Sequence, residues 1–273
     1  MTTPSISMIV TVRASSEARR HNLSYVLDWY QQMPDWELLV VEQDQAPELD
    51  SSEWRYTTKR LYVVNPGPFN KGWGFNVGAR AARSDVLFFC DADLLLAHSA
   101  LKAAQSLCSR RALAVKPFDS LIDLNQTDTQ AILSGRLAPD FEREDASKFR
   151  GDREALCFCG GAFFMRRNLY NALGGFDERY LGWGAEDDAI TVKLQRMTTE
   201  LAVLEGRAAV HLWHERGDLA TFGNPHYPNN LRMLQEVAQA SADSLRFQSD
   251  LQRQIMGNPG KYQPAVPEKS ASL

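Results

Sequence analysis

The sequence predicts an α/β domain built on one mixed, mostly parallel sheet with helices on its faces. Three observations lead there. Short runs of valine, isoleucine, leucine and phenylalanine recur along the chain, as strands buried on both faces do. Stretches with apolar residues at helical spacing separate them, the alternation of a parallel sheet. Several runs end in charged side chains, which an open α/β sheet gathers at its carboxyl edge, where ligands bind.

The elements follow in order. Residues 6–12 read as a first buried strand ending at Arg13. Residues 17–32 place Leu23, Val26, Leu27 and Tyr30 on one helical face, with Ser15 or Ser16 as cap. Pro34-Asp35 turns the chain into a strand over 37–41, which delivers Glu42 and Asp44. A strand over 61–64 runs into the breaker cluster Asn65-Pro66-Gly67-Pro68. Residues 70–80 form a glycine-rich loop opening a helix of small residues. Then Val86-Leu87-Phe88-Phe89 makes the strand around which the chain is organised, because it delivers Asp91-Ala92-Asp93.

A helix over 101–107 and a strand over 112–115 come next. Residues 119–153 are polar and charged, with one short helix around 130–133, the composition of a lid or mobile insertion. Core character returns over 156–164 around Gly160-Gly161. A short helix from Arg167 meets a glycine cap at Gly174-Gly175. A helix over 186–197 opens on Glu186-Asp187-Asp188, and a last strand over 208–210 delivers His211 and His214. Residues 217–230 read as a mobile loop, 231–256 as one long amphipathic helix, and 257–273 as a disordered tail.

The chemistry sits at the strand ends. Asp91 and Asp93 are two apart, so in extended chain their carboxylates point the same way. Two hard oxygen ligands suit Mn²⁺ or Mg²⁺ shared with substrate phosphates; the plainer reading is a solvated strand cap. Arg13, Glu42 and Asp44 bring charged groups to the same edge, which describes a nucleotide pocket. Lys71 reads equally as a phosphate contact or a solvated loop lysine. The glycines match neither GxGxxG nor a P-loop.

The macrodipole favours acids in a first helical turn, which explains one or two of Glu186, Asp187 and Asp188. It does not explain Trp183 between Gly182 and Gly184, the placement of a sugar-stacking aromatic beside a base. His211 and His214 are three apart and on a strand face opposite sides. Only one is then expected to join the aspartates on a metal.

A net charge of −4 argues against a nucleic-acid binder. The four cysteines lack CxxC spacing, so neither zinc nor a disulfide framework is indicated. The expected compartment is the reducing cytoplasm. The first residues lack the pattern of a signal peptide, and no apolar run approaches the ~20 residues of a membrane span. A lipid-linked substrate would be met peripherally, at the inner face of the membrane.

Two blocks resemble a known family. The run Phe69-Asn70-Lys71, Asn76-Val77-Gly78 and Asp91-Ala92-Asp93-Leu94 resembles the nucleotide-sugar half of the beta-1,4-galactosyltransferases. Gly160-Gly161-Ala162, Gly174-Gly175-Phe176 and Gly182-Trp183-Gly184-Ala185-Glu186-Asp187-Asp188 resemble their acceptor half. Chondroitin-type polymerases and polypeptide GalNAc-transferases, within the family 2-like glycosyltransferases, share parts of this pattern. With Val12-Arg13, the likeness covers most of residues 5–216.

The resemblance implies the GT-A fold as a single catalytic domain over 1–256: a nucleotide-sugar half (1–118), a lid (119–153), an acceptor half (154–230) and a C-terminal helix (231–256). It implies metal-dependent, inverting transfer from a UDP-sugar, galactose or N-acetylgalactosamine favoured. The acceptor would be a glycan or lipid-linked saccharide, as in bacterial surface polysaccharide synthesis. Asp91 and Asp93 become a DxD motif holding Mn²⁺ or Mg²⁺, with His214, or alternatively His211, as a further ligand. Arg13, Glu42 and Asp44 hold uridine and ribose, and Lys71, Asn76 and Trp183 belong to the donor site. Asp187 is the implied catalytic base, and Glu186 binds acceptor or donor sugar.

Thr11-Val12-Arg13 departs from the Pro-Phe-Arg of the animal enzymes, and their luminal anchor and disulfides have no counterpart, which leaves acceptor and location open. Two other readings compete. A non-catalytic sugar-nucleotide-binding subunit would bind without turnover. A nucleotidyltransferase would carry a basic, glycine-rich loop after its first strand, which Ala14-Ser15-Ser16-Glu17 is not.

Overall fold

A computed structural model describes residues 3–50, 52, 54, 58–142, 149–150, 157–216 and 222–263. Its first half runs β1 (Ile6–Val12), α1 (Glu17–Tyr30), β2 (Trp36–Asp44), β3 (Thr58–Val64), α2 (Lys71–Ala81), β4 (Val86–Cys90), β5 (Leu94–Leu96), α3 (His98–Arg110) and β6 (Ala114–Lys116). Then come β7 (Ser120–Asp123), α4 (Gln126–Leu133), β8 (Phe149–Arg150), β9 (Ala162–Arg166), α5 (Arg167–Ala172), α6 (Glu186–Met197), β10 (Leu201–Val203), β11 (Ala208–His211), α7 (Tyr227–Gln239) and α8 (Ala242–Ile255).

The wholly buried β1 pairs in parallel with β2 and β4, so the three strands that end in charged groups are neighbours or adjoin one. The main sheet has seven strands in the order β10-β6-β9-β4-β1-β2-β3. Only β9 runs antiparallel, between β4 and β6. Aromatic side chains fill the β4–β9 seam: Phe88 stacks on Phe164 at 4.3 Å between ring centres and Phe89 on Phe163 at 4.8 Å. Apolar faces on both sides of one strand require helices on both faces of the sheet.

The glycines of α2 have a packing reason. A Cβ on Gly74 would lie 1.9 Å from Thr11 Oγ1, and one on Gly78 2.3 Å from Ile9 Cγ2. Without side chains there, the helix backbone settles directly on β1. Asn70 caps it by accepting from Trp73 N at 2.8 Å. The first helical residue, Lys71, is thereby fixed at the carboxyl edge of the sheet.

Three expectations need correction. The sheet is not single: β5, β11, β7 and β8 form a second one, in the order β5-β11-β7-β8. It takes in part of the segment read as a structureless lid, since Ser120-Leu121-Ile122 is too short a run to announce a strand. Next, the long C-terminal helix is two helices. Ser241 breaks it by capping α8, accepting from Ser244 N, while α7 starts earlier than expected, with Pro228 in its first turn. Finally, the chain stays packed past residue 256. Asn258 O accepts from Trp73 Nε1 at 2.8 Å, Tyr262 stands edge-on to Trp73, and Lys261 pairs with Glu178 at 3.1 Å. The rest of the expected tail, 264–273, lies outside the described residues, as do 143–148, 151–156 and 217–221 of the expected lid and loop. Among the described residues no helix is long and apolar enough to cross a membrane.

Candidate active site

The ends of β1, β2, β4 and β11 and the first turns of α2 and α6 supply the expected site residues. The two aspartates after β4 do not share a direction. Asp91 N donates to Gly161 O and Leu94 N returns to Asp91 O at 3.4 Å, so residues 91–93 form a turn rather than extended chain. Asp91 faces a lysine, and Asp93 faces two histidines.

Lys71 Nζ lies 3.0 Å from Asp91 Oδ1 and 2.9 Å from Asp187 Oδ2. Burial alone would discharge this ammonium. Asp187, Asp91 and Glu186 outweigh burial and raise its pKa well above the ordinary lysine value. It is thus not the solvated loop lysine of one sequence reading, and two carboxylates already hold the charge that the other assigned to a phosphate.

Asp187 sits in the first turn of α6, yet its side chain does not cap the helix. Oδ2 takes the Lys71 contact, while Oδ1 is buried with no hydrogen-bond partner among the described residues. Burial raises its pKa, Lys71 works against that, and Asp91 adds to it. Glu186 is also buried and accepts from Gly184 N at 3.0 Å. Burial, and then the neighbouring charge of Asp187, push it up to about 7.

Trp183 is 38% exposed. It stacks on Tyr227, with ring centres 5.6 Å apart, and meets the edge of Phe222 at 5.0 Å. Gly184 has φ 112°, and a Cβ there would come within 2.6 Å of the Tyr227 ring, so glycine is what allows the stack. Asn224 Nδ2 holds the loop by donating to Leu181 O and Trp183 O, both at 2.9 Å. Sequence reading missed Phe222, Asn224 and Tyr227. Their Gly/Pro/Asn surroundings signalled only a loop, although two aromatics beside it were available as a hint.

The opposite group is Asp93, His211 and His214, whose ligand atoms lie within 4.8 Å of one another. His214 Nε2 is 3.1 Å from Asp93 Oδ2, and His211 Nε2 is 3.5 Å from Asp93 Oδ1. Both histidines therefore reach the aspartate, where one was expected. The strand period ends at His211, and Leu212 N donates to Asp93 O, which wraps the following residues around it. Asp123, opposite His211 in the β7–β11 register, pairs with its Nδ1 at 3.0 Å. That residue too was missed, because nothing in the sequence reveals which strand will lie beside β11.

Burial disfavours charge on His211, but Asp93 and Asp123 outweigh it and raise the pKa to about 9. The histidines in turn hold Asp93 well below the usual carboxylate range against its own burial. One carboxylate and two imidazoles, one of them oriented by a second carboxylate, form a donor set that can hold a divalent transition metal. Mg²⁺, which prefers oxygen ligands, fits it less well.

Arg13 donates to Gln43 O at 3.0 Å, Asn65 O at 3.1 Å and Gly67 O at 2.9 Å, tying the tips of β1, β2 and β3 together. Glu42 is fully buried and accepts from Glu48 N and Leu49 N. Asp44, half-buried, accepts from Gln45 N. Asn76 is fully buried, bonded to Phe176 O, Glu178 Oε1 and the Tyr170 hydroxyl. A ligand contact through Asn76 therefore requires these bonds to change, whereas Glu42 keeps its Oε2, 3.6 Å from Arg60 Nη1, buried with no hydrogen-bond partner among the described residues. A further residue went unnoticed in the sequence. Lys116 Nζ donates to Cys157 O at 2.9 Å and Gly160 O at 2.8 Å, over the Phe118 ring. It pins the turn behind Asp187, and burial lowers its pKa to about 8.

Comparison with known proteins places this geometry. Chondroitin sulfate N-acetylgalactosaminyltransferase 2 of Homo sapiens is 29% identical over 172 residues, which are 61% of this chain and 30% of the human protein. The chain thus spans less than a third of that relative. The structure of S. aureus TarS 1–349 in complex with UDP-GlcNAc superposes with a TM-score of 0.59 at 16% identity, over 93% of this chain and 72% of that one. The mannosyltransferase PcManGT from Pyrobaculum calidifontis, in complex with GDP-Man and Mn²⁺, gives 0.50 at 19% identity, over 80% and 59%. These likenesses show the fold, which is GT-A. The family model for glycosyltransferase like family 2 matches residues 7–213, and the chain belongs to that family.

Proposed function

We propose that the protein transfers a glycosyl group from a UDP-sugar to a saccharide hydroxyl, with inversion at the anomeric carbon and with a divalent metal. The observation that carries this reading is Asp187. Its Oδ1 is buried without a hydrogen-bond partner among the described residues, at a helix N-terminus beside an exposed indole. A buried acceptor atom left unpaired costs about 1–3 kcal/mol, and an attacking hydroxyl is the group that would satisfy it. Asp187 then takes the hydroxyl proton as general base. Lys71 keeps the other oxygen fixed and favours the ionised carboxylate against its burial.

Trp183 offers a flat face to a sugar ring beside the base, and Glu186 a second polar contact. Asp93, His211 and His214 would hold the metal, which when bound supplies charge neutralisation for a leaving diphosphate. UDP as the nucleotide is in line with the UDP-GlcNAc of the TarS complex. N-acetylgalactosamine as the sugar is in line with the name of the human relative, and galactose with the sequence resemblance. A role in bacterial surface polysaccharide synthesis at the inner membrane face completes the proposal.

UDP release from a panel of UDP-sugars, with Mn²⁺, Mg²⁺ or EDTA, tests it on wild type and Asp93→Ala. The expected result is metal-dependent release from one preferred donor, lost in the variant. Binding of UDP without release from any donor, acceptors included, would instead favour a binding subunit.

A further inference from the structure

A cavity of about 410 Å³ opens between α1 and α4. Trp213 and Glu215 line both it and a second cavity of about 290 Å³ that also touches His211 and His214. Asn22 and Thr129, only 1% and 3% exposed, lie deepest in the larger one. Asn22 Nδ2 donates to Trp213 O at 3.1 Å, while its Oδ1 is buried with no hydrogen-bond partner among the described residues. Thr129 Oγ1 accepts from Trp213 N at 2.9 Å, which leaves its own proton to donate. Gln126, Gln130 and Glu17 surround the mouth.

The function proposed above needs none of these groups. Amide, hydroxyl and carboxylate groups around a half-buried indole are what a sugar ring matches. Its hydroxyls both donate and accept, and its C–H face packs on an aromatic. The volume falls within the range of small-molecule sites, roughly 300–1,000 Å³. Among the described residues the lining holds no lysine or arginine but two glutamates and His21, a charge balance that disfavours phosphates, sulfates and uronates.

We propose that this cavity is a second saccharide site, taking a neutral hexose or N-acetylhexosamine unit of the acceptor glycan. The acceptor is then a chain that is gripped at two places. The choice of a saccharide rests on the transferase reading, but binding to the cavity does not need metal or donor, so the two can fail separately.

The test is saturation-transfer NMR of the full chain in EDTA, without donor, against lactose, maltose, cellobiose and N,N′-diacetylchitobiose. Wild type is expected to bind at least one disaccharide. Gln126→Ala with Gln130→Ala should weaken that binding about tenfold. Ala18→Trp, which fills the cavity from α1, should abolish it, with UDP binding in Mn²⁺ unchanged in both variants. No binding of any of the four, or binding undiminished in both variants, would overturn the proposal. Failure of the transferase reading would show elsewhere, as absence of UDP release by wild type from every donor.

Discussion

Asp91 and Asp93 are separated by one alanine, yet they belong to different electrostatic worlds. Asp91 shares a lysine with Asp187, so that cluster carries a permanent cation between two carboxylates. Asp93 is flanked by two imidazoles, groups that can give up their protons. The first arrangement holds Asp187, the proposed base, in place. The second is one a metal can enter, because neutral imidazole is a ligand and imidazolium is not. One turn of backbone thus divides a single acidic motif into two halves, which the proposed function reads as a positioning half and a metal half.

The sharpest way to break this comparison is to neutralise the base alone. Asp187→Asn keeps the shape and loses the proton acceptor. Transfer should fall by roughly 10²- to 10⁴-fold, while UDP binding in Mn²⁺ stays near wild type. Steady-state transfer and UDP titration, measured side by side, check it. Loss of both would mean that the two halves are not separable.

The metal half is tested by Asp93→Asn. Removing the carboxylate that both imidazoles face should weaken Mn²⁺ binding by about 100-fold or more, since even outer partners of metal ligands are worth 10–100-fold. Calorimetric titration of Mn²⁺ measures it. In wild type the same titration should release protons at pH 7, because a metal must displace the proton that Asp93 and Asp123 hold on His211. Heat that does not depend on the buffer's ionisation enthalpy would remove the histidine from the ligand set.

How far the sequence reached follows the same division. Local signals announced β1, β2, β4 and α6, because apolar runs and acids in a first turn depend only on neighbours in the chain. Asp93, the acids at 186–188 and the pair His211 and His214 stood out for that reason, while singling out Asp187 as base and His214 ahead of His211 came only from the family resemblance. Asp123 and Tyr227 were not, since each enters its site through a contact between segments far apart in sequence: β7 beside β11, and α7 beside the Trp183 loop. The direction of Asp91 was missed because an extended chain was assumed where Gly161 O captures its amide. Length misled at the C-terminus, where one amphipathic pattern continues across the Ser241 break.

Lys71→Met sharpens the positioning half as a matter of stability. It leaves Asp91 and Asp187 close together without their shared cation, and removing one partner of a buried pair costs about 3–5 kcal/mol. Asp91 is one-third exposed, so the low end, about 3 kcal/mol, is expected. The loss should be greater at pH 8 than at pH 5, because burial already raises the Asp187 pKa and acid neutralises that carboxylate once its lysine is gone. Urea unfolding at the two pH values reads both effects. An equal loss at both would mean that the lysine acts by packing alone.

The smallest effect discriminates most finely, because it concerns only the acid beside the base. Glu186 has its pKa raised in the folded protein from 4.5 to about 7 by burial and by Asp187. Between those values the folded chain holds a proton that the unfolded chain has released. Wild-type stability therefore carries a favourable contribution below pH 4.5 that is lost as pH rises through about 7. Glu186→Gln keeps an oxygen to accept from Gly184 N and cannot ionise. Its stability relative to wild type should rise from pH 5 to pH 8, by urea midpoints measured in parallel. Asp187 ionises while Glu186 is still protonated, so an uncharged Gln in place of Glu186 should leave the ionisation of Asp187 where it is. The acid limb of the pH–rate profile of transfer should accordingly stay in place in the variant, as should the pH dependence of Mn²⁺ binding, which the proton on His211 sets across the turn. A shift of the Mn²⁺ profile would join the two halves that one alanine keeps apart.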